Sequence, residues 1–260
     1  MNHLPTLTPV LLTIPAAHAE PATGEFPLGH HLPGPVHEHH SHRTSAEIHY
    51  EAAISMGYDS RYVSEGRDNL DGDPLLHGTL ELSFHDFLIG AWYAQSPTTP
   101  YDEFNLWLEY GFQFGDVEGY LGINHLRFPD DNAHDHEVGF GISYGELPWD
   151  LVVGMDAYYS FRADGFFAEA ALTRDFRPCD WLTLEPGIVF GWNEGYVSSG
   201  HRGANHVAVS ILAIIPLGET AELSAYLSYN FAVNSSPLQS PDDASLKNFL
   251  YGGATVTFDF

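Results

Sequence analysis

The chain ends on Leu250-Tyr-Gly-Gly-Ala-Thr-Val-Thr-Phe-Asp-Phe260, a stretch whose side chains alternate in character. One row is apolar and consists of Leu250, Gly252, Ala254, Val256, Phe258 and Phe260. The other row is mostly polar and consists of Tyr251, Gly253, Thr255, Thr257 and Asp259. Because successive side chains of a β-strand point to opposite faces, this period of two predicts a strand with one apolar and one polar face.

A terminal strand that ends on an aromatic residue resembles the C-terminal signature of bacterial outer-membrane β-barrels. The resemblance implies that the apolar row faces lipid and that the polar row faces the interior of a barrel. It also implies that Val256, Phe258 and Phe260 form an insertion signal for the barrel-assembly machinery. This stretch alone leaves open a secreted β-sandwich or a soluble barrel that buries the same strand in its core.

The preceding sequence divides into further alternating segments, which bring the predicted number of strands to twelve. The segments are 46–58, 76–84, 87–95, 103–114, 117–127, 135–145, 150–162, 165–174, 181–193, 204–216, 221–233 and 249–260. Most are long enough for a tilted membrane strand, which needs about ten residues. Mostly short turns alternate with longer polar loops, and aromatic residues occur near both strand ends. These features favour an all-β, antiparallel, up-and-down transmembrane barrel of about twelve strands with both termini in the periplasm.

Composition excludes several classes of function. Lys and Arg total 9 against 35 Asp and Glu, and a net charge of -26 argues against nucleic acid as a partner. No apolar run approaches the length of a membrane-spanning helix. The sequence has no phosphate loop and no cysteine-based metal spacing, so we predict that the protein is not an enzyme.

The N-terminal part predicts export and a flexible tail. Residues 1–19 contain a short apolar run and the small-x-small sequence Ala17-His18-Ala19, which indicate a signal peptide. Residues 20–45 form a His- and Pro-rich periplasmic tail, and residues 46–260 form the barrel. The tail could bind Zn²⁺, Cu²⁺ or Ni²⁺, or it could be a solvated linker; no other cofactor is predicted. Its candidate metal ligands are His30, His31, His37, His39, His40 and His42.

The polar rows of the strands predict the residues that line the lumen. They are Glu51, Glu81, Trp92, Trp107, Glu109, Asp156, Arg162, Glu169, Glu185 and Asp259. An acidic, water-filled lumen attracts cations and repels anions. The alternative is that these carboxylates bond to neighbouring side chains and fill a narrow barrel. Trp92 and Trp107 could stack on a sugar or another ring, or could simply fill space.

One loop concentrates acidic residues and histidines: Asp130, Asp131, His134, Asp135 and His136. Outer-membrane proteases use paired carboxylates with an Asp–His pair, but they draw these pairs from different strands. Here the residues lie close together in the sequence. Surface cation binding or plain solvation of the loop is therefore the favoured interpretation of this segment.

Short motifs in the first half of the predicted barrel resemble the TorF-like putative porin family, also known as the proteobacterial "Gcw" conserved hypothetical outer-membrane proteins. They lie at Tyr58–Gly66, Gly90–Trp92, Glu103–Gly111 and Arg127–Pro129. The family often shows a Tyr-Val-x-Arg-Gly element, and Glu65 stands here in place of its Arg. The resemblance implies a porin-like protein of the outer membrane.

The sequence therefore predicts an outer-membrane, porin-like channel of a Gram-negative bacterium. Small solutes, cationic or neutral, would diffuse passively through its acidic lumen. Its expected partners are outer-membrane lipid, the barrel-assembly machinery and these solutes. The alternative is a non-conducting barrel that acts as a surface scaffold or adhesin, or as a metal-capturing outer-membrane protein.

Overall fold

The computed structural model describes residues 50–260, most of which form one closed antiparallel barrel of twelve strands. The strands are β1 (Tyr50–Asp59), β2 (Leu75–Phe84), β3 (Phe87–Gln95), β4 (Asp102–Phe114), β5 (Val117–Phe128), β6 (Ala133–Leu147), β7 (Leu151–Ser160), β8 (Gly165–Arg174), β9 (Leu182–Glu194), β10 (Gly203–Pro216), β11 (Ala221–Ala232) and β12 (Phe249–Asp259). A short strand, Phe176–Cys179, continues β8 and also pairs with β9. The predicted all-β barrel of twelve antiparallel strands is confirmed.

Two short 3₁₀ helices, Pro148–Asp150 and Pro241–Ala244, connect strands. Within residues 50–260, no helix is long and apolar enough to cross a membrane. The predicted signal peptide (residues 1–19), the predicted tail (residues 20–45) and the six tail histidines lie outside the described residues.

Each strand pairs with its neighbour in the chain, and β1 pairs with β12 to close the barrel. Along this closing seam Ala53 lies opposite Asp259, and Asp59 lies opposite Gly253. The backbone N–H of Phe260 donates to the carbonyl oxygen of Ala52 at 2.8 Å. The C-terminal strand is therefore the strand that closes the barrel.

The alternation of the strands separates a polar inner face from an apolar outer face. In β4, Glu103, Asn105 and Trp107 are buried, whereas Leu106 and Leu108 are exposed on the outside. The same pattern recurs around the barrel, so the outer surface carries long rows of exposed apolar side chains. A water-soluble protein rarely exposes so continuous an apolar surface, whereas a membrane barrel presents it to lipid.

The two ends of the barrel differ. We call the end that bears segments 60–74, 96–101, 129–132, 161–164, 195–202 and 233–248 the loop end. The opposite end, which we call the turn end, carries short connections such as His85-Asp86 and Gly115-Asp116, together with the last residue, Phe260. Exposed aromatic residues occur at both ends, as in an aromatic belt. Examples are Tyr93, Phe161 and Phe231 at the loop end and Phe114, Phe258 and Phe260 at the turn end.

The first long loop folds into the barrel instead of away from it. All residues from Tyr62 to Leu70 are buried, and we call this segment the plug. Within it, Val63–Ser64 pairs with Arg67–Asp68 to form a small hairpin. Its two turn residues, Glu65 and Gly66, have φ of 42° and 69°, as a type I′ turn requires.

Candidate functional site

Carboxylates line the inner face of the wall from the middle of the barrel to the turn end. We call this set the acid cluster: Glu81, Glu109, Asp156, Glu169, Glu185 and Asp259. Asp156 on β7 lies directly opposite Glu169 on β8. Glu109 is close enough to Glu81 and Asp156 to interact with both electrostatically. The predicted inward row of acids is thus brought together in one region.

Few basic groups balance the acid cluster. The Tyr120 hydroxyl donates to Asp156 at 2.9 Å, and His206 Nε2 lies 3.4 Å from Glu169 Oε1. One oxygen of Glu81 is buried without a hydrogen-bond partner. Among the described residues, Glu81, Glu109 and Glu185 form no ion pair with Lys or Arg. This half of the interior therefore contains more carboxyl groups than basic groups.

The plug occupies the loop-end half of the interior. Arg67 donates to Asn205 Oδ1 at 2.8 Å and to Asp243 Oδ1 at 3.1 Å, and its side chain is only 1% exposed. We call the Arg67–Asp243 pair the latch. Asp243 also contacts His201 Nδ1 at 2.8 Å and accepts from the backbone N–H of Ser236 at 3.0 Å. The latch thus joins the plug to the loops that follow β9 and β11.

The turn of the plug lies against the inner wall of β10 and β11. Asn205 and Asn230 donate to the backbone oxygens of Glu65 and Gly66. A Cβ atom built on Gly66 would lie 2.4 Å from Cγ of His206, so the backbone touches the wall at this point. Both the positive φ and this close approach require glycine at position 66.

Burial and hydrogen bonding shift the pKa values of three side chains in the plug and the latch. Desolvation raises the pKa of Glu65 well above its usual range, while the Ser64 hydroxyl and Arg67 act in the opposite direction. Burial lowers the pKa of Arg67, although Glu65 and Asp243 oppose this. Burial alone would raise the pKa of Asp243, but hydrogen bonds from Ser236 and His201, together with Arg67, lower it below the ordinary value. Asp243 is thus held in the charged form that the latch needs.

The plug is also bound to the opposite wall of the barrel, through the hydroxyl of Tyr62. The Tyr62 hydroxyl donates to Glu103 of β4, which also accepts from Tyr101 and from Asn105. Trp92 and Trp107 pack in the same buried cluster, together with Leu70 of the plug. The two tryptophans, predicted to line the lumen, therefore lie on the inner face but are covered. They do not form an open platform for stacking.

Two predicted lumen residues lie at the margins of the barrel. Glu51 belongs to the inward row of β1 but is exposed at the turn end. The assignment of Arg162 to the lumen is wrong, because β7 ends at Ser160 and Arg162 lies exposed in the turn that follows. Its backbone N–H donates to Asp135 at 3.0 Å. The turn contains Asp164 with a positive φ of 53°, and this reversal ends the alternation.

Arg67, a fully buried basic residue of the interior, and its partners Asn205 and Asp243 are not predicted from the sequence. These partners lie 138 and 176 residues from Arg67 in the chain, so no local pattern connects them. One local signal existed. The pair Glu65-Gly66 between polar residues is compatible with a two-residue hairpin turn.

Comparisons with known proteins agree on the fold. No family model matches the chain, and no curated protein is similar to it. Among solved structures, the KdgM porin is similar with a TM-score of 0.56 at 8% identity, covering 80% of this chain and 99% of the porin. The NanC porin has a TM-score of 0.52 at 9% identity, covering 80% of this chain and 98% of that chain. This chain therefore has the barrel fold of outer-membrane porins.

Proposed function

We propose that the chain is an outer-membrane channel for the passive diffusion of small cationic or neutral solutes, and that the plug holds it closed in the state described here. The observation that carries the proposal is the acid cluster inside a closed barrel with an apolar outer face. Carboxylates that a protein needs only for stability are usually paired. Among the described residues, Glu81 and Glu109 have no Lys or Arg partner, and they are therefore available to a passing ion.

The charge of the interior sets the expected solute class. A similar barrel, the KdgM porin, has been solved in complex with oligogalacturonate. Oligogalacturonate is a polyanion, and the acid cluster of this chain would repel it because like charges are brought together in a low-dielectric wall. Small cations and neutral solutes avoid this penalty.

The orientation in the membrane is part of the proposal. We infer a Gram-negative outer membrane with the turn end and both termini in the periplasm, because short turns on that side and longer loops outside are usual for such barrels. The assembly machinery would bind the C-terminal strand through Val256, Phe258 and Phe260. We likewise propose that the chain belongs to the TorF-like putative porin family and that it does not catalyse a reaction.

The channel is tested by conductance in planar lipid bilayers, with the unmodified chain and a variant that lacks the latch, Arg67→Ala. We expect few ohmic steps from the unmodified chain and frequent steps from the variant. Absence of ohmic steps from both proteins at high salt would instead support the alternative of a non-conducting surface scaffold. The deeply inserted plug is the observation that keeps that alternative worth testing.

Neutralising the acid cluster is expected to reduce cation preference. On the Arg67→Ala background, Glu109→Gln with Asp156→Asn should lower the ratio of cation to anion permeability. A unit charge about 4 Å from an ion in water contributes about 1 kcal/mol, which corresponds to roughly fivefold per charge. Reversal potentials under a KCl gradient measure this ratio.

Asp86→Asn is the matched control for this experiment, because it removes one carboxylate from an exposed turn outside the barrel wall. Its reversal potential should equal that of the Arg67→Ala background. If the double variant gives the same reversal potential as well, the acid cluster does not line the path of the ions.

A further inference from the structure

Three histidines meet on the outer face of the barrel near the loop end. His125 on β5 lies opposite His136 on β6, and His134 follows on the same face of β6. The Nδ1 atoms of His125 and His136 are 3.3 Å apart. The ring centroid of His134 is 6.3 Å from that of His125 and 6.1 Å from that of His136. His134 and His136 are exposed, and His125 is half-buried.

The distance between the two Nδ1 atoms suits a metal ion. Zn–N bonds of about 2.0–2.1 Å in a tetrahedral site place two nitrogen ligands about 3.3–3.4 Å apart. Without a metal, two facing imidazole nitrogens can share only one proton. With a metal between them, both neutral rings donate a lone pair, which imidazole does readily to Zn²⁺, Cu²⁺ and Ni²⁺.

His134 supplies the third nitrogen. No group of three ligands among residues 50–260 already converges as a formed metal site, so the ring of His134 must rotate toward the other two. Its side chain is exposed and has room to do so. Positions 134 and 136 lie two residues apart on a strand and therefore point to the same face, as a shared metal requires.

An anion is a poorer occupant of this site. Arg127 lies opposite His134 on the same outer face, and its charge would favour a phosphate group. A phosphate oxygen held by both rings, however, would need a hydrogen on both Nδ1 atoms at a nitrogen–nitrogen distance of 3.3 Å, and two facing donors repel each other. Neutral imidazoles that bind a cation avoid this repulsion.

We propose that His125, His134 and His136 form a binding site for a divalent transition metal on the outer face of the barrel. The site is independent of the lumen and of the proposed channel. It is also separate from the six histidines of the predicted tail, which would compete for metal in any measurement on the unmodified chain.

The test therefore uses the full-length chain with the six tail histidines replaced by Asn, and Zn²⁺ as the probe in calorimetric titration. We expect this protein to bind one Zn²⁺ per barrel at His125, His134 and His136, which we call the histidine triad. His125→Ala with His136→Ala should abolish this binding, and His134→Ala should weaken it. The matched control is His85→Asn, which removes an exposed histidine from a turn at the other end of the barrel, where Asn tolerates the positive φ of 54°.

Each variant is first checked for the mobility shift on heating that a folded barrel shows in gel electrophoresis. The proposal is overturned if the tail-substituted chain binds no Zn²⁺, or if the double variant still binds as the control does. Unchanged affinity in His134→Ala would overturn the three-histidine site.

Discussion

Arg67→Ala is expected to release the plug and turn a barrel with a blocked lumen into a conducting channel. The substitution leaves Asp243 as a buried carboxylate without its arginine, and breaking a buried ion pair in this way costs about 3–5 kcal/mol. The plug also loses its hydrogen bond to Asn205. Because these contacts attach the plug to the loops and the wall, the fraction of time that the lumen is open should rise by orders of magnitude. Single-channel recording in planar bilayers measures this fraction.

Arg202→Ala provides the matched control. Arg202 pairs with Glu194 at 2.9 Å, but this pair lies at the surface and contributes little. The conductance of the Arg202→Ala variant should match that of the unmodified chain. A second variant, Asp243→Asn, removes the same ion pair from the other side and should also open the lumen. If both latch variants fold and remain as closed as the control, the plug does not depend on the latch.

Gly253→Ala is expected to weaken closure of the barrel. A Cβ atom at this position would lie 2.0 Å from Asp59 Oδ1 and 2.7 Å from the backbone oxygen of Tyr58, both on the strand across the closing seam. The carboxylate could turn aside, but the backbone oxygen belongs to a hydrogen-bonded strand. Overpacking of this kind costs about 1–3 kcal/mol or more. We expect a lower urea midpoint of unfolding in detergent and a smaller heat-sensitive gel fraction.

Gly154→Ala is the control for position 253, because Gly154 also lies on the inner face of a strand. The nearest atom to its added Cβ would be Ile142 O at 3.8 Å, an ordinary contact. Its stability should be unchanged or slightly higher, since alanine restricts the unfolded chain. Equal stabilities of the two alanine variants would show that the seam has room for a side chain.

The strands could be predicted because their signal is local. Alternation over ten residues is visible in a single segment such as β4, and it fixes at once the strand and the face of each side chain. The structure accordingly places Glu109 and Asp156 on the inner face. Arg162 shows the limit of this reasoning, because continuing the alternation two residues past Ser160 assigned a turn residue to the wall.

The plug could not be predicted because its stability depends on distant contacts. Whether residues 62–70 lie in solvent or in the lumen is decided by Asn205, Asn230 and Asp243, far away in the sequence. The histidine triad is an intermediate case. His134 and His136 stood out together in the sequence, but His125 joins them only through the pairing of β5 with β6.

The separation of the latch residues also has a consequence for biogenesis. Arg67 follows the first strand, whereas Asp243 precedes the last, and the two are 176 residues apart in the chain. Contacts between such distant residues form late in folding, because the intervening chain must first be ordered. The latch can therefore form only after the chain as far as Asp243 has folded. Sealing of the proposed channel would thus accompany completion of the barrel during biogenesis.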